Sequence, residues 1–337
     1  MRFYRLPNAD GLNSLVMSEA PTPRPGRGQV LVRLRAASLN YRDLMVLRGV
    51  YARGNVPPNL VPLSDGAGEV AEIGPEVTRV RVGDRVAGIF MQSWIGGDIA
   101  PEDSASALGG AVDGVLTEYR VFDQAGLVHL PEHLSFEEGA TLPCAAVTAW
   151  HALFAGAPLR PGQTVLVLGT GGVSIFALQF AHAAGAKVIA TSSSTEKLDE
   201  AFALGASEGV NYRKTPDWQD AVLSLTGGRG VDHVVEVGGS GTLARSIQAT
   251  RFGGAVHLIG VLTGQADIDP APIMRRSITL RGVYVGSREM FEAMNRAMAF
   301  HDLHPVIHRV FPFSEAAAAF RHLESQAHVG KVVIRID

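Results

Sequence analysis

The stretch Val165-Leu166-Val167-Leu168-Gly169-Thr170-Gly171-Gly172-Val173-Ser174 decides the fold. Four consecutive apolar residues suit a strand buried on both faces. The glycines permit a tight turn and a close backbone approach to a ligand. Val173, Phe176, Ala177, Phe180, Ala181 and Ala184 share one face, which predicts a helix over 173–184 packed on a sheet. Strand, glycine turn and helix N-terminus together make a site for a pyrophosphate, because unpaired N–H groups and the positive end of the helix dipole meet there. Ser174 stands where a third glycine would serve helix–strand packing rather than phosphate contact.

Outward from this stretch the chain alternates strand and helix over 165–285. A short apolar strand is expected at 187–191. Ser193-Ser194-Thr195-Glu196 then reads as a capping box opening a helix that ends near Gly205. Thr215 and Pro216 mark a helix start running to Gly227, followed by a strand at 231–237, a helix at 242–250 and strands at 255–261 and 278–285. Strands separated by helices imply a parallel, doubly wound sheet. The first 124 residues differ: alternation at 30–35 and partly at 78–86, with Gly, Pro and Asp between, predicts short antiparallel strands with one exposed face. After Val285 two helices are expected, at 287–300 and 314–325, then a strand at 331–336. The Gly-, Ala-, Ser- and Asp-rich stretch 94–113 lacks periodicity and reads as a long surface loop or lid.

The chain's 337 residues suit two domains, and 46% hydrophobic against 19% charged residues suits a large core. A formal net charge of −3 gives no electrostatic case for nucleic acid or anionic membranes. Cys144 is the single cysteine, so no disulfide can form within the chain, and a reducing compartment follows. With no apolar signal core and no apolar span, a cytoplasmic location is expected.

Several motifs agree in order and spacing with one family. A β-rich front part carries Ser64-Asp65-Gly66-Ala67-Gly68-Glu69-Val70, then Gly74, then Val82-Gly83-Asp84-Arg85-Val86. The Gly-Thr-Gly-Gly-Val turn follows, and then a C-terminal return. Over essentially its whole length the chain resembles the medium-chain dehydrogenase/reductase superfamily, and within it the zinc-independent branch of quinone oxidoreductases and enoyl or alkenal reductases. The resemblance implies an α/β protein with a β-rich GroES-like catalytic domain (1–125 and 286–337) plus a Rossmann domain, a doubly wound parallel sheet that binds NADP (126–285). It also implies a homodimer joined through the strand at 278–285, whose Leu280, Val283 and Val285 are apolar.

Departures from the zinc alcohol dehydrogenases are informative. Ser64 and Asp65 stand where that branch has the His-Glu of its Gly-His-Glu-Gly motif, and Asn40 stands at the first cysteine ligand. Only Cys144 keeps its type, and the four-cysteine structural loop is absent. A thiol, an amide and a hydroxyl make a poor divalent site, so no zinc is expected. His301, His304 and His308 are interrupted by Pro305 and read as a solvated face.

The residue that chooses between nicotinamides lies about twenty positions past the glycines, at the second strand's end. An acid there would repel a 2′-phosphate. This chain has Thr191-Ser192-Ser193-Ser194, with Lys197 one turn into the helix and Tyr212 further on. NADP(H) is therefore expected over NAD(H), with Lys197 and Tyr212 assigned to the 2′-phosphate by the resemblance; alternatively, the serines only cap the helix. Gly169, Gly171, Gly172 and Val173 are the pyrophosphate candidates, beside Ser192 and Ser193. Thr148, Val237, Gly238, Gly260, Val261 and Val285 are carried over from the family as further cofactor contacts.

Without a metal, donors must stabilise the negative charge that develops on the substrate oxygen, and something must supply a proton. Tyr51 in Gly49-Val50-Tyr51 resembles the tyrosine that enoyl reductases of this superfamily aim at the nicotinamide. The other possibility is a half-buried loop aromatic. Asn40 is a candidate donor to the same oxygen or to the cofactor. Asp65 is a candidate for orienting Tyr51 or a water, or for pairing with Arg42 or Arg48. Cys144 reads as a small buried residue rather than a nucleophile. The expected activity is hydride transfer between NADP(H) and a small carbonyl or alcohol, an enone or a quinone. A non-catalytic, crystallin-like dinucleotide binder and a zinc-retaining alcohol dehydrogenase stay open.

Overall fold

The structure, a computed structural model, describes residues 1–51, 56–260 and 267–337. The first elements are β1 (Arg2–Arg5), β2 (Val16–Glu19), β3 (Gln29–Leu39), α1 (Tyr41–Leu47), β4 (Asp65–Ile73), β5 (Arg85–Gly88), α2 (Pro101–Ser104), β6 (Tyr119–Asp123), β7 (Leu127–His129) and α3 (Phe136–Gly139). A π-helical turn, Leu142–Ala146, leads into α4 (Val147–Phe154). Next come β8 (Thr164–Leu168), α5 (Gly172–Ala183), β9 (Lys187–Ser192), α6 (Thr195–Ala203), β10 (Glu208–Asn211), α7 (Trp218–Leu225), β11 (Val231–Glu236), α8 (Ser240–Ala249), β12 (Thr250–Leu258), α9 (Ala271–Arg275) and β13 (Thr279–Gly282). The chain returns through α10 (Arg288–Phe300), β14 (Ile307–Pro312), α11 (Ala316–Glu324) and β15 (Lys331–Arg335). Two compact units result, 1–147 with 285–337, and 148–284.

In the second unit the strands lie in the order β10-β9-β8-β11-β12-β13, every pair parallel. The order reverses between β8 and β11, so the crevice beyond the strand ends opens there, where such sheets bind ligands. Leu166, Ile189, Val234, Val256 and Trp218 form its core. Val231–Glu236 is buried at every position, Asp232, His233 and Glu236 included, which reflects helices on both faces. This is the doubly wound Rossmann sheet.

The first unit is a seven-stranded sheet in the order β14-β15-β3-β4-β5-β7, with β6 also on β3. Its pairs are antiparallel except β14 on β15. The eleven residues of β3 organise it, pairing with β4, β6 and β15 in turn. Here is the GroES-like part, and Leu34, Val70, Val86, Phe122 and Ile334 lie in its core.

Several elements depart from expectation. The stretch 78–84 is irregular with a turn at Val82 and Gly83, and the strand begins only at Arg85. The strand expected at 278–285 is Thr279–Gly282, and Val285 beyond it turns in the left-handed region at φ 56°. The stretch 94–113 is not a surface loop throughout. Trp94, Ala107 and Leu108 are buried, and Trp94 and Ala107 pack with Phe90, Met91 and Val285. Strand β14 was hidden because His308 and Arg309 interrupt its apolar pattern. The segment 126–147, expected with the nucleotide domain, groups with the first unit.

Candidate functional site

In the second unit the glycine turn joins β8 to α5. Gly169 takes φ +71°, a left-handed conformation that favours glycine. A Cβ on Gly171 would meet no atom within 4 Å, so open space lies over the turn beside the first N–H groups of α5. Ser174 is buried, and its hydroxyl donates to the Leu168 carbonyl at 2.6 Å. It ties helix to strand, as its place in the motif suggests.

At the end of β9, Thr191 Oγ1 accepts from the Gly169 amide at 3.2 Å, so the glycine turn is anchored to the neighbouring strand. Ser192 is buried, and Ser193 and Ser194 are half-buried. Ser194 is the residue that caps α6, accepting from the Lys197 amide at 3.2 Å. Capping thus accounts for Ser194 and leaves Ser192 and Ser193 without that duty. Tyr212 follows β10, and its amide donates to the Ser192 carbonyl at 3.0 Å. Lys214 Nζ reaches Thr195 Oγ1 at 3.3 Å. Burial lowers the pKa of Lys197 and the nearby Arg213 acts in the same direction, while Glu200 opposes both. Three cationic side chains therefore flank the end of β9.

At the ends of the next strands, a Cβ on Gly260 would fall 1.5 Å from the Val237 carbonyl oxygen, so only glycine fits against that backbone. Gly238 is held by the buried Glu236, whose Oε1 accepts from its amide at 2.8 Å. Thr148 is buried on α4. Val285 lies in the first unit, packed with Phe90, Met91 and Trp94. Val261 lies outside the described residues.

The first unit holds a polar cluster set by strand register. Ser38 at the end of β3 pairs with Asp65 at the start of β4, and Leu39 pairs with Val332 of β15. Asn40, Asp65 and Lys331 therefore meet where three strands begin or end. Lys331, only 3% exposed, donates to the Leu39 carbonyl at 2.7 Å and to Asn40 Oδ1 at 2.5 Å, and lies 3.9 Å from Asp65 Oδ2. An ammonium has no acceptor, so it fixes the orientation of the Asn40 amide. Asp65 is fully buried. It accepts from Ser64 Oγ at 2.6 Å and from the Cys144 amide, presented by the π-helical turn, at 3.2 Å. Burial raises the Asp65 pKa, while Lys331, Asn40, Ser64 and the Cys144 amide hold it down. The Cys144 thiol is pushed well above the ordinary thiol range, by burial first and then by Asp65.

Asp65 pairs with neither Arg42 nor Arg48, which corrects that expectation. Arg42 lies 3.4 Å from Asp43 and donates to the Leu108 carbonyl at 2.9 Å, while Arg48 pairs at the surface with Glu324. Register sets Asp65 opposite Ser38 of β3, where Lys331 is its cationic neighbour. Asp43 accepts from the Asn40 amide at 2.7 Å, and burial pushes its carboxyl up to about 6 against the pull of Arg42. Tyr51 is half-buried, with the Arg42 guanidinium 4.5 Å from its ring centroid. Lys331 escaped the sequence reading because it opens the final strand, nearly three hundred residues from Asn40. Only its near-complete burial marks it.

His301, His304 and His308 face different partners. His308 stacks on His322 and His301 lies beside Phe300, while His304 meets His133 of another loop. Among the described residues no helix is long and apolar enough to cross a membrane.

Comparison with known proteins agrees with this architecture. Residues 26–132 match the alcohol dehydrogenase GroES-like domain, and residues 172–299 match the zinc-binding dehydrogenase family. The chain is 44% identical to a zinc-type alcohol dehydrogenase-like protein of Schizosaccharomyces pombe, over 100% of this chain and 99% of that one. It is 30% identical to a quinone oxidoreductase of Sus scrofa, over 95% of this chain and 92% of that one. A solved NAD-dependent alcohol dehydrogenase superposes with a TM-score of 0.92 at 35% identity, covering 100% of both chains. With both domain types in order and these identities along its whole length, the chain belongs to the medium-chain dehydrogenase/reductase superfamily and is an NAD(P)-dependent oxidoreductase.

Proposed function

We propose that this enzyme transfers hydride between NADP(H) and a small carbonyl or alcohol, an enone or a quinone, without a catalytic zinc. The observation that carries this reading is the buried Lys331 ammonium. It already supplies a positive charge among Asn40, Asp65, Ser64 and Cys144, the side chains at the positions where zinc enzymes of the family hold their metal. The donors do not suit zinc. The Asn40 oxygen is taken by Lys331, and the Ser64 hydroxyl donates to Asp65. A divalent ion there would also face the ammonium's repulsion in a low-dielectric setting.

The cofactor fits better. Gly169, Gly171, Gly172 and Val173 would hold the pyrophosphate in the open space over the turn. Ser192, Ser193, Lys197 and Tyr212 would hold the 2′-phosphate, with Arg213 and Lys214 adding charge. Thr148, Val237, Gly238, Gly260, Val261 and Val285 are the remaining candidates. The NAD dependence of the solved relative does not transfer by fold alone, because side chains at the end of β9 make the choice. When bound, the nicotinamide gives or takes the hydride. Tyr51 donates to the substrate oxygen as charge develops there. Asn40, held by Lys331 and beside Asp65, acts as a positioning residue. The single cysteine fits a reducing cytoplasm.

Turnover of a panel of ketones, enones and quinones with NADPH, before and after exhaustive chelation, tests the reading. Undiminished activity after chelation is expected. Loss of activity that added zinc restores, or no turnover of any member, would overturn it.

A further inference from the structure

Outside the candidate active site, two segments of the first unit bring metal-ligating side chains together. His133 lies in the loop between β7 and α3. Asp302 and His304 lie in the turn between α10 and β14. One nitrogen of each imidazole and a carboxylate oxygen of Asp302 lie within 4.8 Å of one another. The two rings meet edge to face, with centroids 5.1 Å apart. His304 Nε2 is 3.9 Å from Asp302 Oδ1, whereas two ligands on one tetrahedral zinc sit about 3.3 Å apart. The Asp302 side chain is 80% exposed.

The surroundings match what metal-bound imidazoles need. A ligating histidine commonly gives its other nitrogen to a carboxylate or a backbone carbonyl, which fixes tautomer and ring orientation. His304 does this. His304 Nδ1 lies 2.7 Å from Glu138 Oε1, which turns Nε2 toward Asp302, and His133 Nε2 lies 3.1 Å from the Leu303 carbonyl. Glu138 is itself anchored, its Oε2 accepting from the Ser135 amide at 2.7 Å. Two imidazoles and a carboxylate, with waters completing the shell, suit a divalent ion of the zinc type.

We propose that His133, His304 and Asp302, with His304 backed by Glu138, form a peripheral site for a zinc-like divalent ion. The ion fastens the α10–β14 turn to the loop before α3. It takes no part in hydride transfer, so zinc bound to this protein does not by itself signal a catalytic metal.

The test is calorimetric titration of zinc chloride into the full-length, chelator-stripped protein near neutral pH, with unfolding temperature and turnover read in parallel. One saturable zinc per chain is expected, with a zinc-dependent rise in Tm and unchanged turnover. Binding should be lost in His304→Ala and in His133→Ala, and weakened about 10- to 100-fold in Glu138→Gln, whose residue acts only through His304. It should be kept in Cys144→Ser. His304 is half-exposed, so His304→Ala should keep the metal-free Tm, which separates lost ligation from lost folding. Absence of saturable binding, or binding that survives His133→Ala with His304→Ala, overturns the proposal. Binding lost only in Cys144→Ser overturns it too, and would instead count against the zinc-free reading of the active site.

Discussion

At the scale of single residues, the buried Lys331 ammonium is the group most open to test. Removing one member of a buried charge pair leaves the other uncompensated, which costs about 3–5 kcal/mol. Lys331→Met should destabilise the protein on that scale at neutral pH. The sign of the pH dependence follows from Asp65, whose pKa burial raises and Lys331 holds down. Without Lys331 it rises further, and an acid with a raised folded pKa loses stability as pH climbs above its unfolded value of about 4. The variant's deficit should therefore be small in acid and grow toward neutrality. Adding Asp65→Asn should remove that growth. Denaturant midpoints across this range measure it, and a deficit independent of pH would refute the coupling. Tyr51 makes a different forecast. If its hydroxyl donates to the substrate oxygen, Tyr51→Phe should lower kcat by about ten- to a thousand-fold with little change in NADPH affinity. A kcat within about twofold of wild type, with a deuterated cofactor showing hydride transfer to be rate-limiting, would remove Tyr51 from the chemistry and leave it a structural partner of Arg42.

At the scale of elements, cofactor choice belongs to the end of β9. Ser194 caps α6, Ser192 and Ser193 do not, and no acid follows them before the helix begins. Ser192→Asp should place a carboxylate against the 2′-phosphate and reverse the preference from NADPH to NADH. Dissociation constants by fluorescence titration read this directly, and equal affinities in the wild type would sink the argument. The same region shows what was legible in the sequence. Most strand–helix steps from β8 to β12 declared themselves, because runs buried on both faces and a capping serine are local signals, but the four residues of β10, Glu208–Asn211, carry too little apolar pattern to show. Lys331, β14 and the buried part of 94–113 did not. Lys331 meets Asn40 only through the pairing of β15 with β3, and the apolar pattern of β14 is broken by His308 and Arg309. Trp94 is buried by residues as distant as Val285. Such features depend on register and long-range packing, which short-range periodicity cannot report. The expected Asp65–Arg pairing failed for the same reason, since β3–β4 register rather than sequence proximity chose its partner.

At the scale of the whole molecule, the edge of the Rossmann sheet remains to be explained. β13 pairs with β12 on one side and ends the strand order on the other. Leu280 on β13 is 37% exposed, and Tyr284 just beyond the strand is 44% exposed. An open strand edge with apolar neighbours invites pairing with another chain, and soluble proteins ordinarily blunt it with charge or cover it. A second copy meeting the first across a two-fold axis would extend the sheet and cover these side chains in one isologous contact. We therefore expect light scattering to give twice the 35.7 kDa chain mass, falling toward the monomer on dilution only at low concentration. Leu280→Arg places a desolvated charge in the contact and should yield monomer, while the cofactor turn at Gly169–Gly172, on a different strand, keeps its NADPH affinity. A monomer mass that does not change with concentration in the wild type would reject the interface. A dimer indifferent to Leu280→Arg would move it to another face.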